Sequence, residues 1–168
     1  MIPSDQFVRF YNEVFKYVDS RGPGELRKYY DRVAANQEYH CMELFSREKL
    51  QGMYKYWEHI RIEENCDMAH EVEDGCYHFE FFSCPSLSKA LDNDAGACPK
   101  YCNHCPGWIL PLIRKAGCFA VYNLIDRKLP RCEMFVYLTR ERAEKKAEEL
   151  AAEYGDDVIL TSFERGER

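Results

Sequence analysis

MAHEVEDGCYHFEFF, residues 68–82, decides the fold. Its apolar and polar residues alternate on either side of Asp74-Gly75, a dipeptide that favours the positive φ angles of a tight two-residue turn. The stretch predicts a β-hairpin. The same period of two returns downstream in CFAVYNLI and CEMFVYL, residues 118–125 and 132–138, separated by the turn segment DRKLPR. A second hairpin follows from that repeat, and DVILTSF, residues 157–163, can add a last strand.

Upstream the period is helical. Phe7, Phe10, Tyr11, Val14, Phe15 and Val18 recur at helix spacing, and Arg21-Gly22-Pro23-Gly24 stops the run. A second helix is expected from Glu25 to about Phe45. Ser46 is then placed to cap a third, which carries Leu50, Met53, Tyr54, Trp57 and Ile60 on one face. After the first hairpin, residues 107–116 read as a short helix with Gly117 past its end. Thr139 is placed to cap a charged helix over 140–154, and Gly155 to end it. The expectation is one α+β domain spanning 1–168. A helical part over 1–64 packs on a four- to five-stranded antiparallel sheet, with a cysteine-rich loop between the two hairpins.

Length and charge narrow the function classes. At 168 residues the chain can bury a core without help from metal or disulfides. A net charge of −6 without a basic stripe argues against nucleic-acid binding. No apolar run reaches membrane-spanning length and the N-terminus lacks a signal-peptide core, so the expected location is the cytoplasm. Tyr29-Tyr30 and the cluster Tyr54, Tyr56, Trp57 fit packing better than base stacking in so acidic a chain. The sequence allows a homo-oligomer and calls for a small-molecule ligand or substrate rather than a nucleic acid or membrane.

The chemistry sits in the loop. Cys84, Cys98, Cys102 and Cys105 fall close together among nine cysteines, an odd number that rules out a complete disulfide framework. Cys84, Cys98 and Cys105 each precede a proline, which stiffens a ligand-bearing loop. CPKYCNHC has the spacing C-x3-C-x2-C, suited to thiolates turned toward a soft metal. A [4Fe–4S] cluster is the first choice of cofactor, with the fourth corner filled by Cys84 or Cys132. Zinc is the alternative, held by Cys84, Cys98, Cys102 and Cys105, by three ligands with an open position, or with His104 replacing a thiolate, and a reduced, metal-free loop is the remaining reading. Radical-SAM enzymes share this spacing, but their motif opens a long β/α barrel that this chain lacks. Cys41, Cys66, Cys76 and Cys118 read as small buried hydrophobes.

Other residues offer general acid–base chemistry. His40, Glu43 and His59 are candidate catalytic groups if their helices roof a pocket, with Glu58 as an alternative base. Glu63 and Glu64 read as a solvated helix end. His70 and His78 lie on the two strands of the first hairpin, where a cross-strand pair is expected.

From Tyr77 to Leu138 the order of these features resembles the L-2-amino-thiazoline-4-carboxylic acid hydrolase-like family. The shared features are a strand ending in Cys84-Pro85, a short helix, the pair Cys98 and Cys102, then a hairpin carrying Cys132. A weaker likeness is to small-molecule sensor domains of the 4-vinyl reductase type, whose last strand reads Cys-x-Phe where this chain has Cys132-Glu133-Met134-Phe135. The first resemblance implies hydrolytic opening of a small sulfur- or nitrogen-containing substrate at a metal. The second implies a non-enzymatic module in which cysteines hold a metal beside a ligand pocket. A redox-sensing iron–sulfur protein is a third reading of the same thiols.

Overall fold

The computed structural model describes residues 3–92 and 95–165. Helix α1 (Pro3–Ser20) leads into α2 (Glu25–Glu63), then strands β1 (Asp67–Glu73) and β2 (Cys76–Ser83) form the first hairpin. Asp74 and Gly75 at its tip have φ of 48° and 67°, as the expected turn requires. Helix α3 (Pro85–Leu91), a 3-10 turn (Tyr101–Asn103) and α4 (His104–Lys115) carry the cysteines. Strands β3 (Phe119–Asn123) and β4 (Cys132–Tyr137), helix α5 (Arg140–Tyr154) and strand β5 (Ile159–Thr161) complete the order. The sheet runs β1-β2-β4-β3-β5, every pair antiparallel, so the two hairpins join through β2 and β4. The α+β expectation therefore holds.

The second and third expected helices form one assigned segment with a sharp break. Lys49 sits at φ 52°, ψ −122° inside α2, and its Nζ donates to the Ala116 carbonyl at 2.7 Å. In a straight helix, residues 45 and 57 would lie about 18 Å apart along the axis. Instead the Phe45 and Trp57 rings stack at 5.7 Å, so the two arms fold back on each other. Gly52 lies where a Cβ would collide with the Leu44 carbonyl, which is why the arms can close. The break thus falls three residues after Ser46, where the backbone is tied to the end of α4.

Alternation along the strands sorts the side chains into two layers. Tyr77, Phe79, Met134, Val136, Ala120 and Tyr122 share one face, and Trp57 meets Tyr77 and Phe79 there with ring centroids 5.8 and 5.6 Å away. Helices α2 and α4 cover this face. Helix α5 covers the other, where Lys146 lies over the Phe135 ring and Arg142 over the Tyr137 ring. Phe45 and Met53 have no exposed surface, and burying a side chain of that size contributes about 1.5–3 kcal/mol.

Helix α1 differs from its expectation in which face is buried. Val8, Asn12 and Phe15 point inward, while Phe7, Phe10 and Tyr11 are exposed. Asn12 explains the rotation. Its Nδ2 donates to the Gly96 carbonyl at 2.9 Å and its Oδ1 accepts the Cys98 N–H at 2.7 Å. A buried amide needs such partners, so the helix turns its polar residue toward the cysteine segment. Phe15 completes this smaller core against Tyr30, Tyr101 and His104.

Candidate metal centre

Each cysteine is delivered by a different local device. Cys84 ends β2 and caps α3, its sulfur accepting the Leu87 N–H at 3.4 Å, with Pro85 at the first helical position. Its own N–H donates to the Pro130 carbonyl, which ties it to the loop before β4. Cys102 lies in the 3-10 turn and Cys105 in the first turn of α4. Cys132 opens β4 opposite Phe81, and its sulfur stands 3.4 Å from the Tyr122 hydroxyl.

These four thiols feel one another. Charge on Cys105 acts on Cys84, charge on Cys105 and Cys84 acts on Cys102, and Cys132 is acted on by Cys84, Cys105 and Cys102. Every pairing among the four is covered by those contacts. Burial first, then Cys105, pushes the Cys84 thiol up to about 11. Burial pushes Cys102 and Cys105 up to about 12 each, with Cys105 as the next cause for Cys102 and Glu64 for Cys105. Cys132 is raised well above the usual thiol range, by burial before anything else. All four keep some solvent contact, yet protein crowds them enough to disfavour thiolate. As placed they are neutral thiols.

Cys98 stands apart. It is buried in the smaller core, its N–H held by Asn12 and its carbonyl accepting the Tyr101 N–H at 2.9 Å. Charge on Cys98 opposes ionisation of Tyr30. The 3-10 turn and α4 carry Cys102 and Cys105, while the Cys98 backbone is tied to α1 through Asn12.

Around the thiols stand three groups with polar handles. Burial lowers the His104 imidazole, so it is neutral at pH 7. Its Nδ1 lies 2.7 Å from the Tyr101 carbonyl, which can only accept, so Nδ1 carries the proton. Nε2 is then the bare nitrogen, and the Cys105 thiol donates to it at 3.2 Å. The Tyr122 hydroxyl hydrogen-bonds the Cys132 thiol at 3.4 Å and lowers the Cys105 thiol slightly against the effect of burial. Tyr30 is buried with an unpartnered hydroxyl, and charge on Cys98 and Cys105 opposes its ionisation. Glu64, read as a solvated helix end, is exposed but acts on Cys105, Cys84 and Cys66. Arg127, held to the Asn103 side chain at 2.6 Å, is the cation that favours thiolate at Cys102.

The remaining predicted groups lie elsewhere. His40 and Glu43 are exposed on the first arm of α2, Glu43 reaching Arg47 at 3.5 Å. His59 is 70% exposed and faces Glu63 across one helical turn at 3.3 Å. None of the three is among the residues lining the two described clefts. Glu58 is engaged by Arg61 and His70, which hold its carboxyl down to about 2. That makes it a poor base. His70 and His78 are not a cross-strand pair, because the register sets His70 opposite Phe79 and Glu71 opposite His78. Neighbours in register on adjacent positions point to opposite faces, so His70 meets Glu58 at 2.8 Å and His78 meets Glu133 at 3.3 Å. Cys41, Cys66 and Cys118 are buried as expected, while Cys76 is only partly so.

Tyr122, Tyr30 and Glu64 escaped the sequence reading as site groups. Only Tyr122 carried a usable signal: alternation along FAVYN places it on the same sheet face as Ala120, and antiparallel pairing then brings it beside β4. Among the described residues, no three His, Cys, Asp or Glu side chains stand together as a metal-holding group. The sulfurs instead turn to Leu87 N–H, His104 and Tyr122. Comparison with known proteins finds no matching family model, and no curated protein or solved structure with significant similarity to the chain.

Proposed function

We propose that the protein is a cysteine-ligated metalloprotein whose centre is held by Cys84, Cys102, Cys105 and Cys132, loaded with one zinc ion or a [4Fe–4S] cluster. The observation that carries this reading is the electrostatic coupling of four thiols from three segments of the chain, every pair of which opposes joint ionisation. Bare thiolates cannot accumulate there; a soft cation removes that opposition and favours all four at once. The donor chemistry fits. Cys102 and Cys105 form an x2 pair at a helix start, and Cys84 and Cys132 supply two thiols from the sheet edge, a set suited to either metal form.

The unpartnered Tyr30 hydroxyl and the Tyr122 hydroxyl fit the same group, since O–H donors near a metal-bound thiolate stabilise its charge. His104 keeps its proton on Nδ1 and offers Nε2 as a further acceptor. A four-thiolate site is closed, which favours a structural or sensing role over catalysis. In a reducing compartment such as the cytoplasm, where we place the protein, these thiols stay free to ligate.

The hydrolase-like reading keeps one supporting observation: Glu64 lies in electrostatic range of Cys84 and Cys105, where a base for hydrolysis would be needed. An open position would then replace one thiolate, and the metal would polarise the substrate or water.

Metal analysis of anaerobically purified wild type, Cys105→Ser and Cys98→Ser tests the assignment. The expected result is about one zinc or about four irons per chain in wild type and in Cys98→Ser, and loss in Cys105→Ser. A wild-type protein with neither metal, or a Cys98→Ser protein that loses it while Cys105→Ser does not, contradicts the reading.

A further inference from the structure

On the far side of the segment that carries Cys102 and Cys105 lies an open cleft of about 690 Å³, between β5, α4 and the start of α2. Its volume falls in the range of small-molecule sites. Leu26, Tyr30, Leu110 and Phe163 contribute apolar walls, and Arg27, Lys100 and Arg114 stand at its rim. Two of these cations are already matched, Arg27 with Asp31 at 3.0 Å and Lys100 with Asp19 at 2.6 Å. The Arg114 guanidinium has no hydrogen-bond or ion-pair partner among the described residues. Glu164 is the carboxylate at the rim that the cations do not bind directly.

The sheet edge adds a second donor. β5 is the last strand of its sheet, paired on one side only. Val158 accepts from Leu124 and Ser162 donates to Ala120, so the bonded positions alternate through Leu160. Thr161, between them, turns its backbone N–H away from β3 to the unpaired edge, and Thr161 lines the cleft. A cleft of mixed polarity with a guanidinium and a backbone N–H that have no partner among the described residues is complementary to a carboxylate on a small apolar body.

We propose that this cleft binds a small carboxylic acid with an aryl or short alkyl body, its carboxylate taken by Arg114 and the Thr161 N–H. The body lies against Phe163 and Pro111, the partly exposed apolar residues of the lining. Tyr30 packs against Gly107, where a Cβ would come within 2.6 Å of its ring, so the floor of the cleft is continuous with the helix that carries Cys105. The site does not depend on which metal, if any, the thiols hold.

Amide NMR titrations of the full chain with benzoate, hexanoate and neutral benzamide test it, on wild type and Arg114→Gln. Arg114 is exposed, so the variant is expected to keep a wild-type spectrum. Saturable shifts with at least one acid, centred on Gly107 and residues 160–163, are the expected result. Affinity should fall about tenfold or more for benzamide and for Arg114→Gln. No saturable shift with either acid, shifts centred elsewhere, or binding equally tight to benzamide or to Arg114→Gln, overturns the proposal.

Discussion

The sheet and the cysteine segment are built on different principles. Strands β1 to β5 are joined by backbone ladders, and the face they bury is apolar with hardly an interruption. Among the described residues, the segment from Cys84 to Cys105 has no strand pairing. It is held by particular side chains: Asn12 on Gly96 and Cys98, Ser86 on Tyr101 at 2.7 Å, and Arg127 on Asn103. A ladder tolerates the loss of any one side chain's hydrogen bond, whereas a segment pinned at a few points loosens when one pin goes. Proteins commonly place functional groups on segments of the second kind, positioned by a scaffold of the first.

The largest effect that separates the two regions is expected in the scaffold. Phe45→Ala opens a cavity between the arms of α2 and the sheet and should cost about 3–5 kcal/mol in urea unfolding, with all probes moving together. Loss of the cysteine region alone in that variant would break the comparison. Asn12→Ala should act the other way. It leaves the Cys98 N–H and the Gly96 carbonyl without their partner, each worth about 1–3 kcal/mol. Hydrogen exchange should then rise over residues 95–105 while 68–82 stays protected. Gly107→Ala, whose Cβ meets the Tyr30 ring, should cost about 1–3 kcal/mol and again register on the α1 side first.

Acid and alkali ought to attack the regions separately. Arg61 first and His70 second hold the Glu58 carboxyl down to about 2 from its ordinary 4.5. A depressed carboxyl contributes stability above its unfolded value and loses it as pH falls, so the contribution fades between about 4.5 and 2. Glu58→Gln should flatten the acid limb of a stability profile. The thiols have the opposite sign. Cys84, Cys102 and Cys105 are raised from 9 to about 11–12, so metal-free protein should lose stability as pH rises through that window. Metal-loaded protein should not show this alkaline loss. An identical alkaline limb in both preparations would count against ligation by these thiols. The smallest effects belong to the outer face of α2, where His40→Ala, Glu43→Ala and His59→Ala should each change stability by less than about 0.5 kcal/mol and leave metal content intact.

Much of the scaffold was legible in sequence because its signals are local. The Asp74-Gly75 turn, the helix over 140–154 with Gly155 beyond it, and the period-two strands each need only a few neighbouring residues to declare themselves. The break in α2 was visible as a helix boundary but misplaced, because Lys49 bends where Ala116, distant in sequence, offers a carbonyl. The buried face of α1 was misjudged because apolar spacing favours Phe7 and Phe10, while the partners of Asn12 lie more than eighty residues away. His70 and His78 separated once register was known, since a shift of one residue exchanges sheet faces.

By itself, the sequence determined which elements form and that cysteines crowd one stretch of chain, for periodicity and composition are properties of adjacent residues. Only the tertiary structure decided which thiols meet. Cys132 stands near Cys84 because β4 pairs with β2, and the Cys98 backbone is held toward α1 by Asn12. Both outcomes rest on hydrogen bonds between segments far apart in the chain, and spacing along one loop carries no record of them.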